Sequence, residues 1–150
     1  MSISPIAATL VVLAIAGCCL AFWKGGEAER TGAGVILANL VLLWVADLIW
    51  PAASSGVFGL VVDGLTALGL LVMVLRYASL WLGGVMLLYA LKFSLHAFYF
   101  VTARQPDVLH AVINNVDFMS VVFCLVAGTI VAWRKRVRAA GAGSATQAVP

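Results

Sequence analysis

Residues 32–50 read GAGVILANLVLLWVADLIW, and only Asn39 and Asp47 in this stretch are strongly polar. A helix of this length spans about 28 Å at 1.5 Å per residue, which is close to the thickness of the hydrocarbon core of a bilayer, about 30 Å. Backbone groups in hydrocarbon must be paired internally, so only helices and closed barrels span membranes. The apolar residues are continuous rather than alternating, and this favours a helix over a barrel strand. We therefore predict a transmembrane helix at 32–50.

The composition of the whole chain supports the same class of protein. Of its 150 residues, 64% are hydrophobic and only 10% are charged, whereas soluble domains have roughly 45–50% apolar and about 25% charged residues. The net charge is +3, but four of the nine basic residues lie within 134–138, directly after the last apolar run. Such placement is typical of a topology signal. We therefore expect the lipid bilayer as a partner and no nucleic acid.

Five apolar runs predict an all-α, polytopic membrane helix bundle. Each run is close to the ~20 residues that a bilayer requires, and the spans are 5–23, 32–50, 57–75, 77–101 and 108–133. The break at Arg76 is the shortest, and four transmembrane helices would follow if one segment passed through it. We predict a transmembrane helical domain at 1–138. Residues 139–150 are small and polar, which predicts a disordered cytoplasmic tail.

The basic residues also predict the orientation of the chain. With the carboxy terminus inside, the cytoplasmic side carries most of the Lys and Arg residues outside the spans, and the opposite loops carry only Arg104. This asymmetry predicts an amino terminus outside and a carboxy terminus inside, by the positive-inside rule. The cytoplasmic set consists of Lys24, Arg30, Arg76, Arg134, Lys135, Arg136 and Arg138.

Polar or ionisable side chains interrupt four of the predicted spans. In the predicted topology they all lie in the outer half of the membrane and form one layer. An ionisable side chain within a span is costly, and by default it marks a functional site or an essential pairing. The residues of this predicted polar site are Asp47, Asp63, Lys92, His96, Asn114, Asn115 and Asp117.

Helical spacing places several of these residues on common faces. On the fourth span Lys92 and His96 are four residues apart, and on the fifth Asn114 and Asp117 are three apart, so each pair shares a face. Faces at similar depth can converge inside a bundle. We predict that Asp63, Lys92, His96 and Asp117 form the centre of the polar layer.

Two interpretations of this layer remain open. In the first it is an interhelical clamp, in which Lys92 pairs with an aspartate and the asparagines complete hydrogen bonds that fix helix register. In the second it is an outward-facing site for a proton, a cation or a small polar ligand. Three carboxylates against one lysine leave an acidic excess, which is an argument for the second interpretation. Charged side chains within membrane spans commonly pair with one another, which favours the first.

Weaker patterns give no cofactor, and none of them predicts a catalytic site. His96 and His110 lie near the outer side and are candidates for binding a b-type haem, and Asp63, His96 and Asp117 for binding a metal, but neither set has a ligand spacing motif. We find no nucleophile–base motif and no phosphate-binding loop. The cysteines have neither disulfide nor metal spacing: Cys18, Cys19 and Cys124.

The order of several short motifs resembles an uncharacterised family of small multi-pass membrane proteins from bacteria. The resemblance extends from Gly25 to Arg134 and implies a five-helix protein of the bacterial inner membrane, without an established activity. The sequence departs from the family at Val116–Met119, where the family has Trp-Ser-Tyr-Pro. The matching residues are Gly25-Gly26, Glu29-Arg30, Val62-Asp63, Arg76, Trp81, Gly84, His96, Gly128-Thr129 and Trp133-Arg134.

These patterns lead to three expectations about function. The first is a non-enzymatic accessory, regulatory or immunity-type protein that acts through a membrane-protein partner or as a homo-oligomer. The second is a small oligomeric transporter or channel that uses the polar layer for a proton, cation or polar ligand. The third is a membrane-embedded enzyme or haem protein.

Overall fold

A computed structural model describes residues 5–50, 56–104 and 107–146, with the side chains of 5–7 and 142–146 left undescribed. These residues form five helices and no strand, which confirms the predicted all-α bundle. The helices are α1 (Pro5–Lys24), α2 (Glu27–Ile49), α3 (Val57–Tyr77), α4 (Leu80–Val101) and α5 (Val108–Thr146).

Four of the five helices are long and apolar enough to cross a membrane. They are α2, α3, α4 and the Val108–Gly141 part of α5. Residues Ala8–Lys24 of α1 form a shorter apolar helix. The membrane class of the protein is therefore supported by four helices, whereas the sequence predicted five transmembrane spans.

Two helix boundaries differ from the predicted ones because of local hydrogen bonds. Helix α2 begins at Glu27 rather than at residue 32, since the Glu29 carboxylate accepts the Gly26 N–H at 2.8 Å and stabilises an earlier first turn. Tyr77 ends α3 rather than beginning α4. The break between them is real: Ala78 is left-handed at φ 46°, and its N–H donates to Val74 O at 2.9 Å.

Helix α5 extends into the segment 139–150 that was predicted as a disordered tail, so this prediction is corrected for residues 139–146. It continues to Thr146, because a formed helix is extended at little cost and alanine, abundant in this segment, has the highest helix propensity. Residues 147–150 of the predicted tail lie outside the described residues, as do 51–55 of the predicted α2–α3 turn and 105–106 of the α4–α5 loop.

The helices pack as a closed ring. Each contacts its neighbours in chain order, α1 also contacts α5, and α2 reaches α5 across the middle. The core contains side chains that are at most 1% exposed: Ile36, Leu70, Leu82, Val85 and Leu125. Large apolar side chains cover the outward faces of all five helices. We call the end with the α1–α2 and α3–α4 turns the basic end, and the end with the α4–α5 loop the opposite end.

Candidate functional site

Asp63 of α3 is the centre of a buried polar group. Its side chain is fully excluded from solvent. Oδ1 accepts hydrogen bonds from Lys92 Nζ at 3.0 Å and from Asn39 Nδ2 at 3.2 Å. His96 Nδ1 lies 2.9 Å from the other oxygen, Oδ2, although neither atom has a well-aligned hydrogen bond. Side chains of α2 and α4 therefore converge on one carboxylate of α3.

Asn39 and Thr66 complete this group, although neither was predicted as a site residue. Asn39 Nδ2 also donates to Thr66 Oγ1 at 2.9 Å, and Thr66 Oγ1 donates to Val62 O at 2.8 Å. Asn39 is 6% exposed and Thr66 8%. The signals were present, because Asn39 interrupts the apolar run of α2 and Thr66 lies three residues after Asp63. We call Asn39, Asp63, Thr66, Lys92 and His96 the Asp63 cluster.

A row of rings leads from the Asp63 cluster towards the opposite end. The His96 and His110 rings stack with centroids 5.3 Å apart and planes at 19°, and Tyr99 meets His110 edge-on at 4.8 Å. Tyr99 Oη donates to Asp107 Oδ1 at 2.7 Å. The two imidazoles stack with nearly parallel planes, which does not fit the predicted pair of haem ligands, because such ligands bind opposite faces of a haem.

Asp107 fixes the beginning of α5 at the end of this row. Its Oδ1 accepts the His110 N–H at 2.9 Å, as a helix N-cap does. Its Oδ2 accepts a hydrogen bond from Arg104 at 2.9 Å. The His110 N–H and the Tyr99 hydroxyl, with Arg104 in support, hold the pKa of Asp107 below its ordinary value. The row therefore ends at a carboxylate that is stabilised in its charged form.

Asp117 of α5 lies beside the Asp63 cluster without joining its hydrogen bonds. It is 4% exposed and interacts electrostatically with Lys92, Asp63 and His96. Its Oδ1 is buried without a hydrogen-bond partner, and so is Oδ1 of Asn114 one turn earlier. Both oxygens are acceptors. A buried acceptor without a donor costs about 1–3 kcal/mol, and more when it is charged.

Two residues of the predicted layer lie elsewhere. Asp47 is two turns further along α2 than Asn39, about 12 Å at 1.5 Å per residue, so Asn39 takes the place predicted for Asp47. Asn115 follows Asn114 by about 100° around the helix axis and lines an apolar groove of about 480 Å³ together with Leu10 and Phe123. Neither Asp47 nor Asn115 belongs to the Asp63 cluster, although both were predicted for the polar layer.

A second polar group lies at the basic end, where the sequence predicted charged loops and no polar site within the spans. Glu29 is only 6% exposed, although we expected it in a loop. Its Oε1 accepts the Trp81 Nε1–H at 3.0 Å. The Trp81 ring packs against Gly128 and Gly32 so closely that a Cβ on them would lie 2.4 Å and 2.6 Å from its atoms. Glycine at both positions admits the indole between α2 and α5.

Arg136 ties the extension of α5 to the α1–α2 turn. Its guanidinium donates to Gly25 O at 3.2 Å and to Lys24 O. These carbonyls are at the carboxy-terminal end of α1, where a cation is favourable because of the helix dipole. At least one residue of the basic tail therefore has a structural role in addition to its part in the topology signal.

The described residues contain no group of three or more His, Cys, Asp or Glu side chains that could hold a metal ion. The predicted combination of Asp63, His96 and Asp117 therefore does not form such a group. No protein-family model, no curated protein and no solved structure matches this chain. The resemblance to a bacterial membrane family stays a prediction.

Proposed function

We propose that this chain is a multi-pass inner-membrane protein of accessory, regulatory or immunity type that acts through other membrane components without catalysing a reaction. The observation that carries the proposal is the direction in which the polar and the apolar side chains of the bundle point. Asp63 and its partners are turned inward and join three helices, as an interhelical clamp would. The outward faces are apolar and are left for lipids and partner helices.

Small residues on an outward face of α2 support a helical partner. A Cβ on Gly34 would meet no described atom within 4 Å, and Ala38, four residues later, is exposed. Small residues spaced by four let two transmembrane helices approach closely. This face suits an apolar helix of another membrane protein or of a second copy of the chain.

Site-specific photo-crosslinking in native membranes tests this proposal. A photoreactive side chain at Ala38 is expected to give a discrete adduct, and one at exposed Leu75 of α3 is expected to give none. Gly34→Leu should abolish the Ala38 adduct while the protein still accumulates in the membrane. Equal labelling at Ala38 and Leu75 would contradict a specific partner on this face.

A second candidate function is a small oligomeric transporter or channel for a proton or cation. The observation that favours it is the row His96, His110, Tyr99 and Asp107. Rows of titratable side chains within membrane spans mark proton and ion pathways in many transporters. In the predicted orientation this row connects the Asp63 cluster to the outer surface.

Flux through reconstituted vesicles distinguishes the two functions. A proton or cation flux that disappears in Asp63→Asn and in Lys92→Met, and persists in Asp47→Asn, would support the transporter. Asp47 is the matched control because it is an intramembrane carboxylate about 12 Å along α2 from the cluster. If the Asp63 and Lys92 variants lose only thermal stability and the wild type conducts nothing, the clamp interpretation is supported.

A further inference from the structure

Asp117 has one buried carboxylate oxygen, Oδ1, without a hydrogen-bond partner among the described residues. The charged and titratable groups near it are Lys92 and His96 on α4 and Asp63 on α3. Tyr89 of α4 also interacts electrostatically with Asp117, and with Cys18 of α1. The α2 contribution to this region is Asn39, which donates to Asp63 and Thr66 instead. None of these groups donates a described hydrogen bond to Asp117 Oδ1.

The charges of this region do not balance if both carboxylates are ionised. Asp63 and Asp117 would carry two negative charges against the single positive charge of Lys92, with His96 neutral. An uncompensated charge in a low-dielectric interior is expensive, and the ionisable group usually becomes neutral instead. One additional proton restores neutrality, and it can reside on Asp117 or on His96.

The geometry favours Asp117 as the holder of that proton. His96 Nδ1 lies 2.9 Å from Asp63 Oδ2, although the contact is not well aligned for a hydrogen bond. Asp117 Oδ1 and Asn114 Oδ1, by contrast, are two buried acceptors three residues apart without a donor. A proton on Asp117 Oδ1 turns this acceptor into a hydroxyl donor, which can serve Asn114 Oδ1 one turn earlier, and it removes the buried charge. Ionised Asp117 would keep both costs.

We propose that Asp117 is an intramembrane proton-binding site, which holds a proton at neutral pH while Asp63 stays ionised against Lys92. Asp117 would then be a second buried carboxyl group, neutral where Asp63 is negatively charged. Transfer of the Asp117 proton to His96 would leave the net charge unchanged, because one acid becomes charged as one base does. The His110 ring stacked on His96 then continues the row towards Asp107. A protonated Asp117 is compatible with both the clamp and the transporter.

Infrared spectroscopy of the full-length protein in lipid nanodiscs tests the proposal. The wild type at neutral pH is expected to show the C=O stretch of a protonated carboxyl group, which shifts to lower frequency in D₂O. Asp117→Asn should abolish this band, and Asp47→Asn should retain it. Asn114→Ala should keep the band and change its frequency. Absence of the band from the wild type, or its persistence in Asp117→Asn, would overturn the proposal.

Thermal unfolding gives an independent readout. Asn resembles a protonated Asp in shape and charge, so Asp117→Asn is expected to leave Tm nearly unchanged, whereas Asp63→Asn should lower it clearly. A Tm loss in Asp117→Asn as large as that in Asp63→Asn would count against the proposal. A wild-type Tm that rises with Na⁺ or K⁺, and does not in Asp117→Asn, would identify a cation site and overturn it as well.

Discussion

Lys92 Nζ lies 3.0 Å from Asp63 Oδ1, and the two side chains are 12% and 0% exposed. This contact joins α3 to α4 at a depth where water does not compensate either charge. A slip of one residue between the helices would move the groups apart by about 1.5 Å along the axis and 100° around it. The pair therefore fixes the register of the α3–α4 hairpin.

Removing one member of this pair is expected to destabilise the bundle strongly. Asp63→Asn leaves Lys92 without its counter-charge, and breaking a buried pair in this way costs about 3–5 kcal/mol. The measurement is thermal or denaturant unfolding in detergent, with Asp47→Asn as the matched control. Unchanged stability in Asp63→Asn would show that the pair does not hold the helices together.

The double variant Asp63→Asn/Lys92→Met is expected to be more stable than the sum of its single variants predicts. It removes both charges at once, so neither is left buried alone. The recovery in the double-mutant cycle should be about 0.5–3 kcal/mol, as for other residues in contact. Strict additivity would mean that the two side chains act independently.

Gly128→Ala is expected to destabilise the basic end by about 1–3 kcal/mol, the usual cost of overpacking. The new Cβ would lie 2.4 Å from the Trp81 ring, which cannot withdraw without losing its bond to Glu29. Gly83→Ala is the matched control, because its Cβ meets no described atom within 4 Å. In a Trp81→Ala background, Gly128→Ala should cost almost nothing; a full cost there would refute the steric explanation.

Asp107→Asn is expected to separate the charge of Asp107 from its capping role, because asparagine is also a good N-cap. The pKa of Asp107 is lowered by the His110 N–H, the Tyr99 hydroxyl and Arg104. A lowered folded-state pKa stabilises the protein above the unfolded-state pKa of about 3.9, and this stabilisation is lost as pH falls through the folded-state value.

The wild type should therefore exceed Asp107→Asn in Tm at neutral pH, and the difference should shrink as pH falls below about 4. The measurement is a Tm series across the acidic range in one detergent. A difference that stays constant over this range would show that the charge of Asp107 contributes nothing.

Ala78→Gly is expected to stabilise the α3–α4 turn by about 1 kcal/mol. Ala78 has φ 46°, and the left-handed region costs an L-residue about 1–2 kcal/mol that glycine avoids. Ala90→Gly in the interior of α4 is the control, with an expected loss of about 1 kcal/mol. Both changes are measured as shifts of the unfolding midpoint; a loss at both sites would contradict the turn argument.

Cysteine accessibility tests the predicted orientation. In a variant without native cysteines, Ser79→Cys and Ala139→Cys are expected to react with a membrane-impermeant thiol reagent only from the cytoplasmic side. Thr102→Cys should react only from outside, because α4 separates it from Ser79. Labelling of Ser79→Cys and Thr102→Cys from the same side would contradict a membrane-spanning α4.

The helices were predictable because their signal is local. Continuous apolar runs placed all five, and α3 and α4 begin or end within a few residues of the predicted bounds. The misplaced boundaries depend on single side chains: the Glu29 carboxylate extends α2 backwards, and the left-handed Ala78 moves Tyr77 into α3. Neither contact follows from hydropathy.

The site was predictable only in part. Its residue types were visible, since any charge within a span is conspicuous, and Asp63, Lys92 and His96 do meet. Whether Asn39 or Asp47 reaches Asp63 depends on the depth of α2 relative to α3, and the sequence alone did not give that depth. The burial of Glu29 required knowing that Trp81 of α4 reaches it between α2 and α5.

By itself, the sequence determined that this is an all-α membrane-type chain with five helices, because the length and continuity of an apolar run are properties of neighbouring residues. Only the tertiary structure decided which polar side chains of residues 32–50 and the later helices share a site. That choice depends on the rotation and depth of each helix against the others. The stretch that opens with Gly32 thus contributes Asn39 to the Asp63 cluster, and places Asp47 away from it.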